Sequence, residues 1–238
     1  QPVDAVVHLA AKAGVRYSIP NPVGYEEANV QGTIKVCQLA QLLKIPQIIF
    51  ASSSSVYGTN SSSPWNEDLT PASPVSPYAQ TKFISEQYGQ LICKETGISF
   101  IVLRFFSVYG PRMRPDLMIY NIAQKIINNE EILIYGDGSS SRDYTYIEDV
   151  ISGIDSALQY NRNSFDIFNI GNNNPVSLNQ LIGIFEKKLG RKAKIKHAPF
   201  FAGESAKTCA SLEKSQRLLG YKPVFDIETG IELYLKSL

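Results

Sequence analysis

Cysteine and histidine are scarce in this 238-residue sequence, with three of one and two of the other. Cys37, Cys93 and Cys209 form no C-x-x-C pair, and His8 and His197 stand too far apart to share an ion. No metal site is therefore expected, and the odd, scattered thiols argue against a disulfide framework. A reducing compartment, by default the cytoplasm, is the expectation. No apolar run approaches the ~20 residues of a membrane-spanning helix, and ISFIVLRFF is broken by Arg104. No membrane association is expected. Charges of one sign never form a block and the formal net charge is +1, so a nucleic-acid partner is not expected either. An initiating methionine is also lacking. The chain opens on QPVDAVVHLAA, already inside a strand-like run, and reads as one whose beginning is absent.

What is present is a globular composition, 44% hydrophobic and 19% charged, enough for one large domain or two small ones. The apolar run 5–11 suits a parallel strand covered on both faces. A helix over about 22–44 follows and ends before Pro46. QIIFASS (47–53) reads as a strand, 58–77 as a proline-rich loop, 77–96 as a helix closed by Gly97, and 99–110 as another buried strand. Alternating strands and helices imply a doubly wound parallel α/β sheet. Beyond Pro111 the pattern predicts a helix at 117–129, a strand at 131–136, a Gly/Ser loop at 136–141 and a helix at 147–160. A strand at 165–171, a helix at 177–189 and a helical end from about 211 complete it.

Two stretches carry chemistry. In SPYAQTKFISEQY (76–88), Ser76 can cap a helix and Pro77 suits its first position. Tyr78 and Lys82 then share one face beside the apolar stripe of Ile84, Tyr88, Leu91 and Ile92. An ammonium and a helix N-terminus both favour a phenolate. Bringing a tyrosine from pKa ~10 to near 7 requires about 4 kcal/mol. In FASSSSVYG (50–58), four serines follow a strand directly, which places Ser53 at a strand's carboxyl end, where open sheets bind ligands. A hydroxyl, a tyrosine and a lysine form an acid–base set for moving a proton on and off an alcohol.

Together with VVHLAAKAGVRYS, NVQGT, LRFFSVYGPRMRPD, GDGSSSRDYTYIEDV, FNIG and RLLGYKP, these stretches resemble the extended short-chain dehydrogenase/reductases that act on nucleotide sugars, the NAD-dependent epimerase/dehydratase family. The resemblance runs end to end and comes nearest to the bacterial UDP-glucuronic acid 4-epimerase branch. It implies a Rossmann-type sheet with a smaller substrate domain: 1–110 as part of the dinucleotide-binding domain, to which 146–171 returns, and 111–145 with 172–238 as the substrate domain. It implies NAD as cofactor and a homodimer built through the Tyr78 helix. The glycine-rich turn G-x-x-G-x-x-G, which would hold the NAD pyrophosphate, occurs nowhere in these residues.

By the resemblance, Ser53 aligns the substrate 4-hydroxyl, Tyr78 is the base, and Lys82 lowers its pKa and holds the nicotinamide ribose. Leu9, Ala10, Ala11, Lys12, Asn29, Ala51, Ser52, Phe105 and Val108 join Tyr78 and Lys82 in contacting the cofactor. Ser53, Ser54, Ser55, Ser107 and Arg114 hold the sugar carboxylate, Arg142 pairs with the diphosphate, and Glu204 binds the uridine ribose. Tyr135 lies against the uracil or, as readily, in the core, while His8 reads as a packing residue. No acid stands within SSSS, where the related 4,6-dehydratases and decarboxylating enzymes carry one. The expected reaction is 4-epimerisation of a UDP-sugar, foremost UDP-glucuronate. UDP-glucose or a UDP-N-acetylhexosamine is the alternative substrate, and a catalytically silent UDP-sugar-binding or partner-binding remnant is the alternative of another class.

Overall fold

The computed structural model describes residues 3–59, 63–69, 74–199 and 205–238. The first half holds strand β1 (Val6–His8), helices α1 (Val15–Ser18), α2 (Pro22–Glu26) and α3 (Gly32–Leu42), and strand β2 (Gln47–Ser53). Helix α4 (Pro77–Thr96) and strands β3 (Ser99–Phe105) and β4 (Ser107–Tyr109) follow. The second half holds α5 (Met118–Ile127), β5 (Glu131–Tyr135), β6 (Ser141–Tyr146), α6 (Ile147–Leu158), β7 (Phe165–Ile170) and β8 (Pro175–Ser177). It ends with α7 (Leu178–Leu189), β9 (Lys194–Ala198), α8 (Glu213–Leu219) and α9 (Ile227–Lys236).

The main sheet is parallel in the order β1-β2-β3-β7. Its two central strands are apolar without alternation because helices cover both faces. Ile48, Phe50, Phe100 and Val102 pack with Cys37, Ala40 and Cys93 on the side of α3 and α4. Ile49, Ile101 and Leu103 point the other way, into a cluster with Val150 and Ala157 of α6 and Tyr221. A third cluster, around Ile122, Ile134, Phe185 and Ile231, unites α5, α7 and α9.

Helix α4 forms where expected. The Ser76 side chain accepts from Ala79 N, Pro77 opens the first turn, and Gly97 closes it in the left-handed region at φ 74°. At Gly89 the helix passes so close to Phe100 that a β-carbon would stand 2.2 Å from the ring. Several expectations need correction. The expected helix 22–44 is interrupted by a π-helical segment, Glu27–Gln31. The expected strand 99–110 is two strands, because the chain leaves the main sheet at Phe106 and β4 pairs with β6 instead. Strand β6 stands between the Gly/Ser loop and α6, and β8 and β9 lie in stretches not expected to be strand.

Candidate active site

Helix α4 packs against β2 and β3, and its Lys82 reaches the carboxyl-terminal part of β2 at Ala51, where the candidate site lies. Ser53 ends β2, and its hydroxyl accepts from Ser55 N at 3.1 Å and donates to Ser55 Oγ at 3.0 Å, which caps a single 3-10 turn over Ser54–Tyr57. Tyr78, in the first turn of α4, lies near enough to Ser53 for that hydroxyl to lower its pKa, and it sets its ring edge-on to Tyr25 at 6.3 Å. The structure thus brings Ser53 and Tyr78 to the same end of the sheet.

Lys82 is placed differently from the expectation. Its ammonium is buried, donates to the Ala51 carbonyl at 2.7 Å and lies 4.9 Å from the centre of the Phe50 ring. Burial lowers its pKa to about 8, against the opposing pull of Glu86. Burial likewise pushes the Tyr78 hydroxyl above its usual range. The groups that draw the Tyr78 hydroxyl down here are Ser53 and Arg114.

The remaining cofactor-side residues divide in two. Leu9, Ala10, Ala11 and Lys12 form an exposed loop beyond β1, while Phe105 and Val108 flank the β3–β4 junction half-buried. Asn29, in the π segment, is buried with its amide already engaged. It accepts from Lys12 N at 2.8 Å and donates to Lys12 O at 3.0 Å and to Thr81 Oγ1 at 2.9 Å. Asn29 thereby ties the π segment to the loop beyond β1 and to α4. Ser52 donates its hydroxyl to the Glu86 carboxylate, so its side chain serves the packing beneath α4.

On the substrate side, Ser54, Ser55, Ser107 and Arg142 line one cavity of about 240 Å³, together with Val15, Trp65, Ser205 and Thr208. Arg114 stands outside that lining. Its guanidinium donates to the Ala13 carbonyl at 3.2 Å and pairs with Asp116 at 3.1 Å. Tyr135 is exposed rather than in the core, and the Arg16 guanidinium sits 5.5 Å from its ring centre. Glu204 lies outside the described residues.

Two charged residues under the site were not foreseen as part of it. Glu86 and Arg104 are buried and joined bidentately, Arg104 Nη2 to Glu86 Oε2 at 2.7 Å and Nε to Oε1 at 3.1 Å. The arginine inside the apolar run ISFIVLRFF was the available signal, since a charge in a buried strand requires a partner.

The residues at the nicotinamide end fit a dinucleotide. Lys82 has three N–H donors and one protein acceptor, which leaves donors inside the cleft for sugar hydroxyls. A parallel sheet with a Ser–Tyr–Lys set at its strand ends defines a Rossmann-type protein of the short-chain dehydrogenase/reductase kind. Within that class, residues 1–171 match the NAD dependent epimerase/dehydratase family, and the chain belongs to it.

Its relatives include an uncharacterised protein of Methanocaldococcus jannaschii, 43% identical over 98% of this chain and 71% of its own length. A UDP-glucuronate 4-epimerase of Thermodesulfobacterium geofontis is 38% identical over 97% of this chain and 71% of its own. Among solved structures, the UDP-glucuronic acid 4-epimerase of Bacillus cereus in complex with UDP-glucuronic acid and NAD superposes with a TM-score of 0.93. It is 34% identical, covering 99% of this chain and 75% of that one. The UDP-glucose 4-epimerase of Thermotoga maritima with UDP-glucose also superposes at 0.93, with 29% identity over 98% and 76%.

Proposed function

We propose that this protein is an NAD-dependent UDP-sugar 4-epimerase whose substrate is UDP-glucuronate and whose product is UDP-galacturonate. The convergence of Ser53, Tyr78 and a buried Lys82 at the end of a parallel sheet carries this reading. Tyr78 takes the proton from the sugar 4-hydroxyl and returns it, Ser53 aligns that hydroxyl, and Lys82 holds the nicotinamide ribose with its remaining donors. Loop 9–12, Ala51, Phe105 and Val108 would surround the nicotinamide end. When bound, NAD supplies the two-electron exchange at C4 by which a 4-keto sugar forms and is reduced again on its other face.

A 4-keto uronic acid is a β-keto acid and loses CO₂ easily. Ser54, Ser55 and Ser107 offer hydroxyls to its carboxylate, and Arg114 would add a guanidinium on leaving Asp116. Arg142 reaches the diphosphate and Tyr135 the uracil. The nucleotide sugar lies between residues 1–110 with 146–171 on one side and 111–145 with 172–238 on the other. The buried, unpaired thiols of Cys37, Cys93 and Cys209 suit the cytoplasm, and among the described residues no helix is long and apolar enough to cross a membrane.

One observation favours a second reading. Arg114 already has a carboxylate partner in Asp116, which suits a neutral hexose and hence UDP-glucose or a UDP-N-acetylhexosamine. Product analysis with each substrate separates the two. UDP-glucuronate should be epimerised faster than UDP-glucose, and Arg114→Ala should raise the decarboxylated fraction or abolish turnover. Preference for UDP-glucose, with products unchanged in the Arg114 variant, would overturn the carboxylate assignment.

A further inference from the structure

Glu86 is fully buried on α4, one helical turn beyond Lys82, and takes no part in the chemistry described above. Three groups from two strands converge on its carboxylate. Ser52 of β2 donates its hydroxyl to Oε1, and Arg104 of β3 donates Nε to the same oxygen and Nη2 to the other. Ser52 and Arg104 are register partners across the β2–β3 ladder, so this one carboxylate grips both strands where their carboxyl ends meet the site. Arg104 is fixed in turn, its guanidinium 4.8 Å from the Tyr57 ring centre and its Nη1 3.5 Å from the Glu67 carbonyl. The residue before Ser52 is Ala51, whose carbonyl receives Lys82.

Lys82 carries a charge in a place with little to balance it. Its hydrogen-bond partner is a neutral carbonyl and its near neighbour an aromatic ring. Of the elements packed against α4, β3 carries the buried Arg104, α2 the buried Tyr25, the 3-10 turn the buried Tyr57 and α3 the buried Cys37. Arg16 and Tyr17 of α1, Glu26 of α2, Glu27 of the π segment and Lys35 of α3 are exposed, while His8 of β1 senses Lys82. The helix itself adds Tyr78 and Glu86. His8 is neutral near pH 7, its pKa lowered by burial and by Lys82. Glu86 is the buried carboxylate within this set.

We propose that Glu86 is a positioning residue for the Tyr78–Lys82 pair: its carboxylate, locked by Arg104 and Ser52, is the counter-charge for the buried Lys82 ammonium and ties the catalytic helix to the ends of β2 and β3. A bidentate ion pair under the site sets both the place and the charge of the lysine above it. A buried pair of this kind is weak evidence for stability, since packed apolar residues often serve equally well, and a role in charge placement accounts for its presence. This rests on the reading of Lys82 as part of the site, but its test does not pass through turnover.

The test is titration of Lys82 by NMR in the full chain labelled with 13C at the lysine ε-carbons, the resonance assigned by its loss in Lys82→Met. The unaltered chain should show half-titration near pH 8. In Glu86→Gln the half-point should fall by about one pH unit, a tenfold change in the ionisation constant, and Glu86→Asp should recover part of it. Should Glu86→Gln fail to fold, Glu86→Asp provides the same reading, with a smaller fall. An unchanged or raised half-point, in either variant with the near-UV circular dichroism of the parent, overturns the proposal. A failure of the catalytic reading would appear elsewhere, as undiminished turnover when Tyr78 is replaced.

Discussion

His8 shows how a single buried residue ties the site to acid stability. The Thr33 hydroxyl donates its one proton to the Asn29 carbonyl at 2.6 Å, so the His8 Nε2 contact to that oxygen, at 3.1 Å, must be a donation from the ring. The ring is therefore held neutral as the Nε2–H form, and burial, with Lys82 adding to it, lowers its pKa to about 4. Because the folded value lies below the unfolded one near 6.5, the unfolded chain takes up this proton first as pH falls. The stabilisation is complete above pH 6.5 and is lost on the way down to 4, about 3 kcal/mol in all. His8→Gln, which keeps a donor for Thr33, should be less stable than the parent at pH 7, and the gap in urea midpoints should narrow between pH 6.5 and 4. A gap that stays constant would contradict the assignment.

At the scale of elements, local chemistry and distant contacts left different marks in the sequence. Strand β2 and helix α4 were legible to the residue because their ends are written locally. QIIF leads into the serines, Ser76 and Pro77 start the helix, and Gly97 stops it. Ser53 and Tyr78 were legible as a meeting pair for the same reason, since they mark those two ends. The π segment was not legible, because one extra residue per turn leaves the apolar spacing of 22–44 nearly unaltered. Strand β6 was hidden by its polar SRDYTY sequence behind a Gly/Ser loop; it holds its place through pairing with β4 and β8, both remote in the chain. The Ala51 contact of Lys82 was not legible on similar grounds. Spacing on a helix shows that Lys82 and Tyr78 share a face, but not that the Ala51 carbonyl reaches the ammonium first.

At the scale of the whole molecule, among the described residues, α3 and α4 leave apolar side chains uncovered. Leu39, Leu42 and Leu43 at the end of α3, and Tyr88 and Leu91 on α4, are all exposed, and the two helices pack side by side. A second copy seated there would bury these side chains and brace the helix that carries Tyr78 and Lys82, and on that ground we propose the homodimer that the family resemblance implies. Sedimentation at micromolar concentration should give twice the 26.4 kDa chain mass, and Leu42→Glu with Leu91→Glu should give one chain. A monomer before any substitution would contradict it.

The account as a whole turns on Tyr78 as the group that moves the 4-hydroxyl proton. The most direct measurement is the rate at which the native protein, supplied with NAD, interconverts UDP-glucuronate and UDP-galacturonate before and after Tyr78→Phe. Loss of the hydroxyl should reduce kcat by about 100- to 10,000-fold while UDP-sugar binding is retained. Interconversion at an undiminished rate by the phenylalanine variant would contradict it.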